Sequence, residues 1–204
     1  MSKIPWTDIE MTAMKLGLEP CALSAVCAVE AGGDGFLPDG RPKILFEPHV
    51  FWKELAKRRY NPEGLLKRED VRQAHGDISD ILYKKWGARP YGTVNAQWGR
   101  LKRAMDIDEE AALCSASWGA FQIMGFNYAV CGYGSVAEFV ADMSAGYAGQ
   151  LTALGKFLTA NNLIRCLKAK DWAAFAKGYN GAGYAKNKYD VKLRQAYKKC
   201  AEGK

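Results

Sequence analysis

Apolar residues recur every three or four positions along most of the chain, and the residues between these runs predict a mainly helical protein. Thr7-x-x-Glu10 reads as a capping box opening a first helix that ends near Gly17. Pro20 suits the first turn of a second helix, whose Leu23, Val26, Cys27 and Val29 follow at helical spacing until Gly32 and Gly33 stop it. Two short apolar runs then flank Pro38-Asp39-Gly40, a turn signature, so residues 35–46 are expected to form a small β-hairpin. Pro48 opens a helix to about Arg59.

The stretch from Tyr60 to Gly92 is polar and irregular, with a helix expected from Glu69 to Trp86. Thr93 is read as the cap of a helix running to about Asp106, and Asp108 to Cys114 as a short helical piece. Ser135-x-x-Glu138 is a second capping box, opening a long helix toward Ala160, and helices near 163–169, 171–178 and 187–201 complete the chain. There is no repeat, low-complexity tract or linker, so one domain over residues 1–204 is the economical expectation. The fold class is mainly α (α+β), a helical domain with one small hairpin beside the second helix.

Composition narrows the classes. No apolar run approaches the roughly 18–20 residues that cross a bilayer, so stable membrane insertion is not expected. The first residues, Met-Ser-Lys-Ile-Pro-Trp-Thr-Asp, lack the apolar core of a signal peptide, which predicts cytoplasmic synthesis without an export signal. Six cysteines in a chain of this size, without a signal, read as reduced and mostly buried thiols. With two histidines and no CxxC pair, neither a metal site nor a cofactor is expected. The net charge of +7 favours polyanions, whether nucleic acid, anionic lipid or acidic wall polymers. No helix-turn-helix, RNP or zinc pattern supports nucleic acid as a partner.

Three segments carry candidate chemistry. Glu30 closes an apolar helix, where the negative end of the helix dipole and partial burial both favour a protonated carboxyl. A proton held near neutral pH is what a general acid requires; lysozyme's raised glutamate is the established example of this logic. A solvated glutamate at a helix end is the plain alternative. A second carboxylate to position water or steady developing positive charge would come from Asp34, Asp39 or Glu47. Asp39 has a turn role by default, and Glu47 stands where the second hairpin strand ends, before Pro48. In the second segment, Gly119 allows close backbone approach, Ser117 and Gln122 offer hydrogen bonds, and Trp118 and Phe121 offer aromatic faces, although such rings more often serve a core. In the third, Tyr179-Asn180 ends a helix ahead of Gly181 and Gly183, as a cleft-lining loop would; alone it is only a turn.

Taken together, these segments resemble the N-acetylmuramidase family of phage endolysins, from about Ala22 to Tyr197. The most specific stretches are Ala28 to Gly33, Gly35 to Glu47, Ser115 to Gly125 and Tyr179 to Ala185. The Gly-x-x-Gln and Tyr-Asn elements are also similar to those of goose-type lysozymes and lytic transglycosylases. The resemblance implies a lysozyme-like fold, cleavage of the bond between N-acetylmuramic acid and N-acetylglucosamine in peptidoglycan, and Glu30 as the catalytic acid. Ser117, Trp118, Gly119, Gln122, Tyr179 and Asn180 are the expected substrate contacts; the resemblance does not settle the second carboxylate, for which Glu47 and Asp39 stay candidates from their places in the chain. It also implies a monomer that accumulates in the host cytoplasm, depends on a holin, and acts on glycan strands in the wall, in the periplasm of a Gram-negative host. Many relatives carry a separate wall-binding module, and here the catalytic domain is expected to fill the chain. A lytic transglycosylase and a non-catalytic wall-binding protein are the competing readings.

Overall fold

The structure, a computed structural model, describes residues 4–31 and 33–203; the expected helix stop at Gly32 lies outside the described residues. In chain order the helices and strands are α1 (Trp6–Leu16), α2 (Pro20–Glu30), β1 (Ile44–Phe46), α3 (Pro48–Lys57), α4 (Pro62–Leu65), α5 (Glu69–His75), α6 (Ala96–Met105), α7 (Glu109–Cys114), β2 (Ala116–Trp118), β3 (Ile123–Met124), α8 (Val136–Ser144), α9 (Tyr147–Ala160), α10 (Ile164–Lys168), α11 (Trp172–Asn180) and α12 (Tyr189–Glu202). The mainly α architecture expected from the sequence is the one observed.

α2 is apolar around most of its circumference and is accordingly enclosed, with Cys21, Ala22, Leu23, Ala25, Val26 and Cys27 all buried. α12 and α1 pack on it, and α1 also meets α9. The antiparallel sheet runs in the order β1-β2-β3. Its register aligns Ile44 with Trp118 and Trp118 with Ile123, so these side chains share the face turned to the core. Leu45, Ser117 and Met124 align on the opposite face.

This sheet departs from the expected hairpin. Between residues 35 and 43 the Pro-Asp-Gly turn closes with Leu37 N–H on the Arg41 carbonyl (2.8 Å) and Lys43 N–H on the Gly35 carbonyl (2.9 Å), but only Phe36 and Pro42 form a bridge. β1 instead pairs with β2, more than 70 residues away (Ser117 Oγ to the Leu45 carbonyl spans 72). Pro42 has no N–H to give a local ladder, whereas the 116–118 segment offers a full edge. α5 stops at Gly76, where φ is 69°, rather than continuing to Trp86; it buries no side chain that would justify more turns. The long helix expected from Ser135 is two helices, broken at Gly146 with φ of 112°. Ser135 does cap the first, accepting from Glu138 N–H at 3.2 Å, while neither Thr7 nor Thr93 acts as a side-chain cap.

Two cross-links hold the helices in place. Glu54 on α3 is buried at 4% exposure and is met by Lys57 (2.5 Å) and Arg58 (2.8 Å); Arg58 also reaches Glu110 of α7 at 2.9 Å. This fixes α7, and with it the start of β2, against α3. The second cross-link corrects the expectation of wholly reduced thiols: Cys21 of α2 and Cys200 of α12 form a disulfide. Their Cα atoms lie 5.5 Å apart because the two helices are already packed, so proximity in the fold overrides the composition argument. Cys27, Cys114 and Cys131 are buried free thiols, and burial pushes Cys27 up to about 12.

The disulfide spans a sequence separation of 179 residues, so its loss frees a large part of the unfolded chain. Cys200→Ser should lower stability by about 4 kcal/mol in a urea melt under oxidising conditions. The same melt with reductant should bring the wild-type protein down to the variant; equal midpoints for both under oxidation would refute the cross-link.

Candidate active site

Glu30 is the last residue of α2, with its side chain half-buried. Asn180, the last residue of α11, donates from Nδ2 to Glu30 Oε1 at 2.9 Å. Burial holds the Glu30 carboxyl above its ordinary range; the Asn180 hydrogen bond and the charge of Lys192 on α12 pull the other way. The neighbouring Tyr179 phenol is likewise pushed up, first by burial and then by Glu30. Tyr179 stacks on Phe175 with centroids 5.5 Å apart and points its hydroxyl at the Phe121 carbonyl, 3.5 Å away. Glu30, Asn180 and the turn after β2 are thereby joined.

That turn is built from the second candidate segment. Ser117 Oγ donates to Gln122 Oε1 at 2.9 Å, and Gln122 Nε2 donates to the Gly119 carbonyl at 2.8 Å. Gln122 is exposed and takes a left-handed φ of 49°, with both ends of its amide engaged inside the turn. Gly119 has φ of 70°, and a Cβ there would stand 2.6 Å from Gln150 Cδ and Met143 Cε, so no other residue fits.

Gln150 of α9 organises this region and was not singled out from the sequence. It is completely buried, accepts from Ala120 N–H at 2.8 Å, and donates to the carbonyls of Gly35 (3.3 Å) and Met143 (3.1 Å). Gly35 is a glycine for the same reason as Gly119: a Cβ would sit 2.4 Å from Gln150 Oε1. A signal was present, since Gln150 lies in helical register with the buried Leu154 and Leu158, where an apolar residue would be the default. Asp34, just before Gly35, accepts a hydrogen bond from the Tyr147 hydroxyl of α9.

Glu47 follows β1, and its N–H on the Ser115 carbonyl (2.9 Å) extends the ladder by one residue. Strand alternation therefore turns its side chain to the same face as Leu45 and Ser117. Its carboxylate accepts from the Tyr91 hydroxyl and has His49 Nδ1 at 3.2 Å, placed without hydrogen-bond alignment. Burial is the main influence lowering the His49 imidazole. Tyr91 and His49 had no sequence signal of their own.

Two predicted positions stand apart from this cluster. Asp39 is exposed in its turn and paired with Arg41 at 2.6 Å. Trp118 is fully buried, edge-on to Trp98, with its indole N–H on the Leu113 carbonyl at 3.2 Å; its place in the inward row of β2 turns its ring into the core, so it offers no face to a sugar. Among the described residues no group of three His, Cys, Asp or Glu side chains converges as a metal site would.

A half-buried carboxyl biased toward its neutral form, at the end of a helix and tied to the turn of a small sheet, is the arrangement of a proton donor in a glycosidase. The family model for N-acetylmuramidase matches residues 19–201. The chain belongs to the N-acetylmuramidase family. A solved structure, the Burkholderia AP3 phage endolysin, superposes on it with a TM-score of 0.84 at 37% identity, covering 98% of this chain and 73% of that one. Among curated proteins no sequence matches it. The fold is thus lysozyme-like, and membership makes the chain a peptidoglycan hydrolase, a glycosidase of the lysozyme type.

Two measurements probe the geometry. Gln150→Leu keeps the volume but strands a buried N–H and two carbonyls, and should cost about 3 kcal/mol in a denaturant melt; a change below 1 kcal/mol would deny Gln150 its organising role. For Glu30, a raised carboxyl means that folding favours the neutral form. Its contribution is complete below the ordinary carboxylate range and declines as pH rises through the raised value. Glu30→Gln cannot ionise, so it should melt with the wild type at acid pH and above it at neutral pH. A variant melting below the wild type at neutral pH would reverse that sign.

Proposed function

We propose that this muramidase hydrolyses the β-1,4 bond between N-acetylmuramic acid and N-acetylglucosamine, with Glu30 as general acid. The observation that carries this reading is the Glu30 carboxyl, half-buried at the end of α2 and held above its ordinary range by that burial. Protonated Glu30 donates to the glycosidic oxygen, the aglycone leaves, and positive charge develops at the anomeric carbon. Asn180, bonded to Oε1, holds the carboxyl in one orientation through the transfer. Water then adds at the anomeric carbon, giving its proton to Glu47 at the end of β1 or to the Glu30 carboxylate formed in the first step. Asp39 is less suited to this step, being exposed and paired with Arg41. Ser117, Gln122 and Tyr179 frame the glycan, the first two through the hydrogen-bonded turn they build.

In this reading the protein acts as a single catalytic unit and a monomer on glycan strands of the wall, after storage in the host cytoplasm and release by a holin. In the transglycosylase variant of the chemistry Glu30 serves as both acid and base, and Glu47, tied to Tyr91 through Oε2, has a structural role only. In that variant the muramyl 6-hydroxyl replaces water.

Glu30→Gln should fold normally and lower the clearing of cell-wall suspensions about a thousandfold. A folded variant with near-wild-type clearing would remove Glu30 from the mechanism. Mass spectrometry of the released muropeptides distinguishes the two chemistries: reducing muramic ends that have gained water indicate hydrolysis, and 1,6-anhydro ends indicate transglycosylation.

A further inference from the structure

A groove of about 480 Å³ runs between α1, α9 and the loop around residue 130, with Leu16, Val130 and Leu151 in its lining. A second hollow of about 400 Å³ continues it past Ile164 toward α10, sharing Lys15, Leu16 and Thr159. None of the residues described for the candidate active site lines either part.

The chemistry of the rim is one-sided. Lys15, Lys156, Arg165 and Lys168 border the continuous groove, and no carboxylate lines it. Lys15, Arg165 and Lys168 are exposed and form no ion pair with a described carboxylate, unlike Lys57, Lys67 and Lys170 elsewhere on the surface. Lys156 extends over the Tyr133 ring, 3.5 Å from its centroid. Beside the cations stand large apolar side chains turned to solvent: Met11 at 58%, Met14 at 77% and Val130 at 57% exposure. Met11 lies one helical turn before Lys15 on the same side of α1 and therefore forms a lip to the groove.

An apolar hollow lipped by exposed Met11 and Val130 and ringed by cations without carboxylate partners is matched to a ligand with a hydrocarbon body and an anionic head. Free polyanions such as nucleic acid would satisfy the cations but not the apolar surface. No single described helix is long and apolar enough to cross a membrane, so the match is to attachment at a surface. We propose that this face binds peripherally to anionic phospholipid bilayers, with Lys15, Lys156, Arg165 and Lys168 on the headgroup phosphates and Met11 and Val130 in the interfacial layer.

The test is co-sedimentation of the full chain with phosphatidylglycerol vesicles and, in parallel, phosphatidylcholine vesicles. The wild type should pellet with the former and not with the latter. Each cation near an anionic surface contributes roughly fivefold in binding, so Lys15→Glu combined with Arg165→Glu should weaken association by more than tenfold while leaving wall clearing intact. Lys102→Glu combined with Lys198→Glu makes the same change in net charge at exposed sites outside the groove, and should have a much smaller effect. Met11→Ser, at an exposed position beside the groove, should weaken binding without any change in charge. Equal losses from the two charge pairs would reduce the effect to net charge and overturn the assignment. Failure of the wild type to pellet with phosphatidylglycerol would overturn it as well.

Discussion

Gln150 is the constraint on which the packing around Gly35, the turn after β2 and α8 depends. A buried primary amide is tolerated only when its donors and acceptor are used, and here they bind the segment after α2, the turn after β2 and the end of α8 to one point on α9. The arrangement leaves no room for a Cβ at Gly35 or Gly119, so both positions must be glycine. Glu30 precedes the first of these segments by five residues, and Tyr179 touches the second through Phe121. The position of the carboxyl relative to the sheet therefore follows from a hydrogen-bonded core element more than from the surface loop that follows it.

Two glutamates of this chain are shielded from solvent but meet different partners. Glu54 is the more deeply enclosed, at 4% exposure, yet Lys57 and Arg58 meet its carboxylate directly and make it a structural counter-ion. Glu30 has a neutral amide as its bonded partner and only the more remote charge of Lys192, and burial dominates. What separates the two is the choice of partner: a guanidinium and an ammonium in one case, an amide in the other. The disulfide from Cys21 to Cys200 joins the helix that carries Glu30 to the helix that carries Lys192, which ties this balance to the packing of α2 on α12.

The helical frame was readable in the sequence because helix ends carry local signals: Gly17 in the left-handed conformation, Pro20 and Pro48 in first turns, and Ser135, Asp108 and Asp171 accepting from backbone N–H groups. The grouping of Glu30 with Tyr179 and Asn180 was legible only through the family resemblance, since they lie 150 residues apart and no local pattern links them. The partner of β1 is not legible locally, because a Pro-Asp-Gly turn specifies a reversal but not which edge the departing strand will find. The disulfide escaped notice because pairing over 179 residues is a property of helix packing. Gln150 was the opposite case: its signal, a polar residue in an apolar row, was local, and its meaning depended on three partners spread along the chain.

The second carboxylate poses a sharper question. Glu47 lies on the same face of the sheet as Leu45 and Ser117, because the ladder continues through its N–H to Ser115. Its Oε2, however, accepts the Tyr91 hydroxyl and lies against His49, whose Nδ1 is buried without a hydrogen-bond partner. These contacts restrain Oε2, while Oε1 accepts no hydrogen bond from a described residue. If water is the nucleophile, this restraint helps by fixing where it stands. If the muramyl hydroxyl is the nucleophile, Glu47 becomes a structural anchor for the loop bearing Tyr91, and the acid on α2 performs both proton transfers.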